Sequence, residues 1–195
     1  MITTSFSLLK TAQACRDRYQ HLARVLGGVN AYGADTPITI LQILDANGLD
    51  DALWALRATA RTEESATFSR LLACDYAERG LPAWQAMYPN DHRPAEAIRI
   101  SRAYAAGEAT DAELAEASRE AADAAWTAWT AWAAWAAWAA AAAGAAWAAW
   151  AAAAAWAAAW AAREGEAAAE RAWQEARLRE ALAGARNVSA GGEAK

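Results

Sequence analysis

The chain has 195 residues, enough for one domain or for a small domain with an extension. Its net charge is −5, from 18 basic and 23 acidic residues, and most of the basic residues stand singly among acids. Because phosphate binding depends on clustered Lys and Arg, we expect no nucleic-acid partner.

The N-terminal residues show helical periodicity. Over residues 5–27, apolar side chains recur at alternating spacings of four and three, which predicts one helix with a single buried face. The pair Gly27-Gly28 ends this helix, and a loop follows. The expected face consists of Leu8, Ala12, Cys15, Tyr19, Leu22 and Leu26.

A second helix is predicted after this loop. Thr36 and Pro37 are typical of a helix start, with Thr as the cap and Pro in the first turn. The β-branched residues that follow leave a strand open as an alternative. The stop signal Asn47-Gly48 favours the helix.

The middle of the chain predicts further helices separated by Pro and Gly. Thr62 is expected to cap a helix that Gly80 ends or loosens, and Pro82 to restart a short piece. Pro94 then opens another helix, which Gly107 closes.

A capping box is predicted where Thr110 precedes Glu113 by three positions, because each side chain can accept the other's free backbone N–H. No Pro follows, and a straight helix over residues 110–183 would be about 110 Å long. We therefore expect either a helix that projects from the body or a bend or hairpin near Gly144 or Gly165.

The sequence thus predicts an all-α fold in which a long Ala/Trp-rich helix follows an N-terminal multi-helix domain. The expected helical domain covers residues 1–109, the Ala/Trp-rich helical region residues 110–183, and a flexible tail residues 184–195. The Ala/Trp-rich helix is expected to be bent, paired or packed against the other helices.

Tryptophans recur every third residue in the Ala/Trp-rich region. Those in one phase are Trp126, Trp129, Trp132, Trp135, Trp138, Trp147, Trp150 and Trp156, and Trp160 leaves the register. On an α-helix the later indoles would cover a broad half beginning about 120° from Trp126. A 3₁₀ helix would stack them in one stripe, but long 3₁₀ runs are uncommon. Duplication of a triplet is a third explanation.

These indoles are expected to be buried, since nine exposed indoles would form an aggregation-prone patch. They would form a core or an interface with a protein partner or with a second copy. A stacking platform for bases or sugars is disfavoured because residues 124–162 carry no positive charge. The same stretch lacks the Leu, Ile and Val of a spanning helix, so no membrane span is expected.

The sequence contains no constellation typical of catalysis, metal binding or cofactor binding. Cys15 and Cys74 are expected to be free, small buried residues in a reducing compartment, and no signal peptide is evident. Cys74, Asp75, Asp91 and His92 lack zinc-ligand spacing, and Cys74 with His92 matches no nucleophile motif. We expect no enzyme, no cofactor and a cytoplasmic location.

Two ion pairs are predicted around residue 75. Asp75 and Arg79 stand four apart, the spacing of a stabilising pair on one helix. Arg93 is expected to anchor its loop by a salt bridge to Asp75 or Glu78.

Residues 71–125 carry a recognisable pattern: an "ACD-x-AE" helix, a loop ending in Asp-x-Arg-Pro, and an aromatic residue before "GEAT". The residues concerned are Ala73, Cys74, Asp75, Ala77 and Glu78, then Asp91, Arg93 and Pro94, then Tyr104, Gly107, Glu108, Ala109 and Thr110. This pattern resembles the alanine-rich predicted immunity proteins of bacterial polymorphic-toxin systems. Residues 38–59 are similar to the N-terminal part of such sequences.

The resemblance implies a cytoplasmic protein that neutralises a toxin by binding it. The acidic balance would suit a basic partner such as a nuclease toxin. The chain departs from the family pattern at His92, where an acid is typical, and in the heavy use of Trp in its triplets. The alternative hypothesis is a structural protein that self-assembles through its Trp-rich helix.

Overall fold

The structure of the protein is a computed structural model. It describes residues 1–60, 62–128, 137, 139–142 and 166–191. The chain is mostly helical, which confirms the all-α class. Its contacts form two compact units. The N-terminal unit comprises Met1–Ser65 with Glu175–Lys195, and the central unit comprises Ala66–Gln174. Residues 175–191 group with the N-terminal segment, whereas the sequence predicts a division after residue 109.

The N-terminal unit is built from short helices and one small strand pair. The helices are α1 Phe6–Thr11, α2 Arg16–Val25, α3 Val29–Tyr32, α4 Ile40–Asn47 and α5 Leu49–Ala55, and a 3₁₀ helix follows at Leu56–Ala58. The strands β1 (Thr3–Thr4) and β2 (Ile38–Thr39) pair antiparallel. Fully buried apolar side chains form its core, among them Phe6, Ile38, Ile40 and Leu53.

The expectation of one helix over residues 5–27 is wrong. Gln13 adopts a positive φ of 60°, in the left-handed region, and separates α1 from α2. The expected face is also wrong in part. Leu22 is buried, whereas Leu8 and Cys15 are exposed.

The start of α4 lies at Thr39 rather than at Thr36 as predicted. The Thr39 hydroxyl accepts the backbone N–H of Gln42 at 3.1 Å, and the Gln42 side chain accepts the backbone N–H of Thr39 at 2.9 Å. This reciprocal capping box satisfies two donors that the helix would leave free. The predicted end at Asn47-Gly48 is confirmed, with Gly48 at a φ of 87°.

The remaining helices are α6 Glu63–Met87, α7 Arg93–Ala105, α8 Asp111–Thr127 and α9 Ala167–Gly191. The predicted interruption at Gly80 is wrong, since Pro82 lies inside α6. A Pro costs about 3 kcal/mol in a helix interior. Tyr76 and Trp84 are buried on either side of it, so packing holds α6 together through this position. Helix α9 continues to Gly191, into the predicted flexible tail.

Ala141 lies beside α8. The Ser118 hydroxyl donates to the Ala141 carbonyl oxygen at 2.8 Å. In one straight helix these residues would lie about 35 Å apart, so a continuous helix over residues 110–183 is excluded. Helix α8 ends at Thr127. The predicted breakers Gly144 and Gly165 lie outside the described residues.

Trp84 packs on alanines in the core of the central unit. It is 1% exposed, and its indole N–H donates to the Asp91 carbonyl oxygen at 2.8 Å. The small side chains let the backbone approach the indole closely. The alanines against it are Ala124, Ala125, Ala128 and Ala137.

Candidate interaction surface

Helix α8 presents one buried face and one acidic edge. Its first turn is fixed by the predicted capping box, which is confirmed: Thr110 and Glu113 satisfy each other's backbone N–H groups. The buried face consists of Leu114, Ala117, Ala121, Ala124 and Ala125. The acidic edge consists of Glu113, Glu116, Glu120 and Asp123, whose spacings of three and four place them side by side.

The acidic edge concentrates the negative charge of the chain. Residues 108–123 hold six acids and one base, a net charge of −5 that equals the charge of the whole chain. Arg119, the base, contacts Glu116 and lies 3.5 Å from Asp123. Because these side chains are all more than half exposed, the pairs are worth little and leave the edge open to other cations.

Basic side chains of α7 border the acidic edge. A hydrogen bond from Arg93 to Asp91 is the largest cause of the raised pKa of Arg93, and the charges of Asp123 and Glu120 add to it. The pKa of Arg99 is raised first by Glu96 and also by Glu113. The edge therefore runs along the α7–α8 hairpin.

Trp126 stands at the C-terminal end of the acidic edge, one turn after Asp123. Trp126 is 56% exposed, the largest fraction among the exposed large hydrophobic residues of the described chain. Trp126 follows Asp123 by three positions on α8, so the two side chains are neighbours on the surface of this helix. The other indoles of the predicted stripe lie outside the described residues: Trp129, Trp132, Trp135, Trp138, Trp147, Trp150, Trp156 and Trp160.

The residues that carry the family resemblance fasten α6, α7 and α8 together. Arg102 of α7 donates to Asp75 at 2.9 Å and to Glu78 at 2.7 Å, both on α6. Burial lowers the pKa of Arg102, but the two carboxylates outweigh it and the net shift is upward. The sequence predicts these two carboxylates as the alternative salt-bridge partners of Arg93.

Arg93 instead pairs with Asp91, two residues before it. Its Nε lies 2.9 Å and its Nη2 2.6 Å from the two carboxylate oxygens, a bidentate geometry. Asp91 is nearer along the chain than the expected partners, and its carboxylate also accepts the backbone N–H of Arg93 at 3.2 Å, which holds it at the start of α7. The predicted salt bridge from Arg93 to Asp75 or Glu78 is wrong.

Tyr104, Gly107 and Glu108 shape the end of α7. The Tyr104 hydroxyl donates to Asp111 at 2.7 Å, and the guanidinium of the buried Arg70 lies 4.7 Å from its ring centroid. Gly107 takes a φ of 77°, which favours glycine, and the N–H of Glu108 then reaches the Ala103 carbonyl oxygen at 2.8 Å. These contacts set the turn between α7 and α8.

Cys74 is buried, as predicted, whereas Cys15 is exposed, which corrects the expectation for that residue. Burial raises the pKa of the Cys74 thiol to about 12, so it stays protonated at neutral pH. A protonated thiol is a poor nucleophile and a poor metal ligand.

Sequence reasoning missed a polar cluster at the start of α9. Arg79 donates through Nε to Glu170 at 3.2 Å and lies 4.7 Å from the ring centroid of Trp173. This replaces the predicted Asp75–Arg79 pair. Gln174, fully buried, donates to Glu170 at 3.1 Å and accepts the Tyr76 hydroxyl at its carbonyl oxygen, 3.0 Å away. No local pattern in the sequence indicates these contacts between α6 and α9, because their partners lie 91 and 98 positions apart.

No protein-family model matches the chain, and no curated protein or solved structure is similar to it. The resemblance to immunity proteins therefore stays a prediction. Within the described ranges, no group of three His, Cys, Asp or Glu side chains lies close enough to hold a metal ion. No helix in the same ranges is long and apolar enough to cross a membrane.

Proposed function

We propose that this chain is a non-enzymatic binding protein that captures a basic protein partner in the cytoplasm. By its resemblance to predicted immunity proteins, the partner would be a toxin whose action is stopped by stoichiometric binding. The observation that carries the proposal is the acidic edge of α8, which ends at the exposed Trp126.

The acidic edge would supply attraction and specificity. Acids concentrated on one helix attract a positively charged protein and raise the rate of encounter, an effect that salt weakens. Arg119 is already shared between two carboxylates, so the local charge is only partly compensated.

Trp126 would supply the apolar anchor of the interface. Tryptophan is enriched among the few residues that dominate binding free energies, and such anchors are surrounded by polar rims. The exposed Trp126 and the carboxylates of the acidic edge beside it match this combination of an apolar anchor and a polar rim.

The proposal is tested with the product of the gene adjacent to this one. If that product arrests growth when expressed alone, co-expression of this chain should restore growth. A variant with Glu116→Gln, Glu120→Gln and Asp123→Asn should restore it poorly. The control neutralises three exposed acids of the N-terminal unit, Asp17, Asp35 and Glu180, and should protect like the unaltered chain.

Light scattering distinguishes the alternative of a self-assembling protein. The proposal expects a monomer that forms a complex of defined ratio with the toxin. A stable oligomer that dissociates when Trp126 is replaced, together with no protection from the neighbouring product, would favour self-assembly.

A further inference from the structure

Helix α4 ends at the dipeptide Asn47-Gly48, the pair at which an asparagine side chain converts most readily to an acid. The conversion begins when the backbone nitrogen of the following residue attacks the side-chain amide carbon. Glycine favours this attack, because it has no side chain to hinder the approach of its nitrogen. The other asparagines of the chain precede Ala, Asp and Val, so Asn47 has the most reactive neighbour.

The fold holds the attacking nitrogen in the backbone hydrogen-bond network. The N–H of Gly48 donates to the Leu44 carbonyl oxygen at 3.0 Å and closes the last turn of α4. The Gly48 carbonyl oxygen accepts the N–H of Ala52 at 3.1 Å, at the start of α5. The Gly48 nitrogen therefore reaches the Asn47 side chain only when the junction between α4 and α5 opens.

The side-chain amide of Asn47 is held as well. Its nitrogen donates to the Arg18 carbonyl oxygen at 3.0 Å and to the Asp51 carboxylate at 2.8 Å, so both amide hydrogens are used. The first contact ties α4 to α2, and the second ties α4 to α5. One amide thus links three helices of the N-terminal unit.

An aspartate at position 47 does not fit these contacts. An ionised carboxylate only accepts hydrogen bonds, whereas the groups that face the amide nitrogen, on Arg18 and Asp51, are themselves acceptors. Asn47 Oδ1 is buried and accepts no hydrogen bond from the described part of the chain, so a new negative charge finds no donor there. The nearby Arg18 guanidinium, 3.4 Å from Asp51, would be shared between two carboxylates.

We propose that Asn47-Gly48 is a latent deamidation site, which the fold protects and which destabilises the N-terminal unit once it has reacted. The Gly48 nitrogen bonds to the side-chain carbon of Asn47, and the amide nitrogen leaves as ammonia with the proton from Gly48. Water then opens the resulting cyclic imide at either carbonyl carbon. One product is aspartate, and the other is isoaspartate, which lengthens the backbone between α4 and α5 by one carbon.

Mass spectrometry of proteolytic peptides measures this conversion. The chain is incubated at one mildly alkaline pH with and without urea, and the peptide containing Asn47 is followed by the mass gain of an amide-to-acid exchange. We expect Asn47 to react at least about tenfold more slowly in the folded chain, because the reaction requires the junction to open. A synthetic peptide of residues 40–55, treated in the same two solvents, controls for any direct effect of urea.

Two variants of α5 test whether the contacts of the amide protect it. Asp51→Ala removes one acceptor and should speed the reaction in the folded chain about two- to tenfold, the effect of one lost hydrogen bond. Asp50→Ala is the matched control. It removes the same charge from the same turn of α5 and leaves both acceptors of the amide in place, so the rate should not change.

The effect of the product is tested with Asn47→Asp, which reproduces the aspartate branch. Its melting temperature should be lower than that of Asn47→Ala, because Asn47→Ala removes the two donated hydrogen bonds without adding a charge against Asp51. Adding Asp51→Asn to Asn47→Asp restores a donor opposite the new carboxylate and should recover part of the loss.

Equal reaction rates in the folded and the unfolded chain would overturn the inference. A melting temperature of Asn47→Asp equal to that of the unaltered chain would also overturn it, because the product would then fit the fold. The inference does not depend on the proposed function, since the reacting groups and their partners all lie in the N-terminal unit and the acidic edge of α8 takes no part.

Discussion

Arg79 and Glu170 are hydrogen-bonded at 3.2 Å, although 91 positions separate them in the sequence. The contact fastens the first turn of α9 to α6 inside the central unit. Helix α8 packs in the same unit. The first turn of α9 and the whole of α8 thus belong to the central unit.

Replacing Glu170 should destabilise the protein. Glu170→Ala leaves the buried Gln174 amide and the Arg79 guanidinium without this acceptor, at a cost of about 1–3 kcal/mol in the free energy of unfolding. Urea unfolding followed by circular dichroism measures the difference. Glu180→Ala is the control, because its pair with Arg177 is largely exposed. Equal effects of the two substitutions would show that the Glu170 contacts add nothing to stability.

The buried and exposed tryptophans of the central unit should behave differently. Trp84→Ala removes an indole packed on four alanines and should lower the free energy of unfolding by about 3–5 kcal/mol. Trp126→Ala, at an exposed position, should change it by less than about 1 kcal/mol. Chemical denaturation of the two variants makes the comparison. A larger loss for Trp126→Ala than for Trp84→Ala would refute the assignment of Trp84 as the core residue.

The Arg93–Asp91 pair should contribute stability that depends on pH. The hydrogen bond from Arg93 lowers the pKa of Asp91 below its usual 3.8. A depressed carboxyl pKa gives stability that is present above the unfolded value and is lost as the pH falls through the folded one. Arg93→Gln should therefore cost about 0.5–1 kcal/mol at pH 7, since the pair is partly exposed, and progressively less as the pH falls below 3.8.

Melting temperatures across this range provide the measurement. Arg99→Gln is a suitable comparison, because its pair with Glu96 is more exposed and should give a smaller difference at pH 7. A constant effect of Arg93→Gln from pH 7 to pH 2 would mean that the carboxylate of Asp91 is not its partner.

The two cysteines should react at very different rates. Cys15 is exposed, whereas Cys74 is buried and its thiol pKa is raised to about 12. A thiol-specific disulfide reagent at pH 8 should modify one thiol in the native chain and both in denaturant. Cys15→Ser should abolish the native reaction, and a persistent fast reaction in that variant would contradict the burial of Cys74.

Local signals in the sequence predicted some helix ends and misplaced others. The box at Thr110 and Glu113 follows from spacing alone, because both partners lie within one turn. The same spacing joins Thr39 to Gln42. Because Pro37 is typical of a first helical turn, the helix start was predicted at Thr36, upstream of the observed cap at Thr39. The sequence predicts that Gly80 ends or loosens a helix and that Pro82 restarts it, whereas Pro82 lies inside α6. Its local cost is outweighed by the burial of Tyr76 and Trp84, which local sequence does not reveal.

Partners of charged residues were hardest to predict. Several acids lie close enough in the sequence to be partners of Arg93. The spacing of these acids does not show that the backbone brings Asp91 to it. The Arg79–Glu170 contact depends on how the chain folds back, so no local pattern indicates it. Composition gives an acidic net charge of −5, but only the burial pattern of α8 shows which acids share its exposed edge.

Calorimetric titration of the neighbouring gene's product into this chain tests the central claim most directly. We predict a defined complex whose affinity falls with rising salt and falls at least about tenfold when Glu116, Glu120 and Asp123 are neutralised together, from about 0.5 kcal/mol for each charge. Neutralising Asp17, Asp35 and Glu180 should leave the affinity unchanged. Equal affinities of the two triple variants, or an affinity independent of salt, would contradict recognition of a basic partner by the acidic edge.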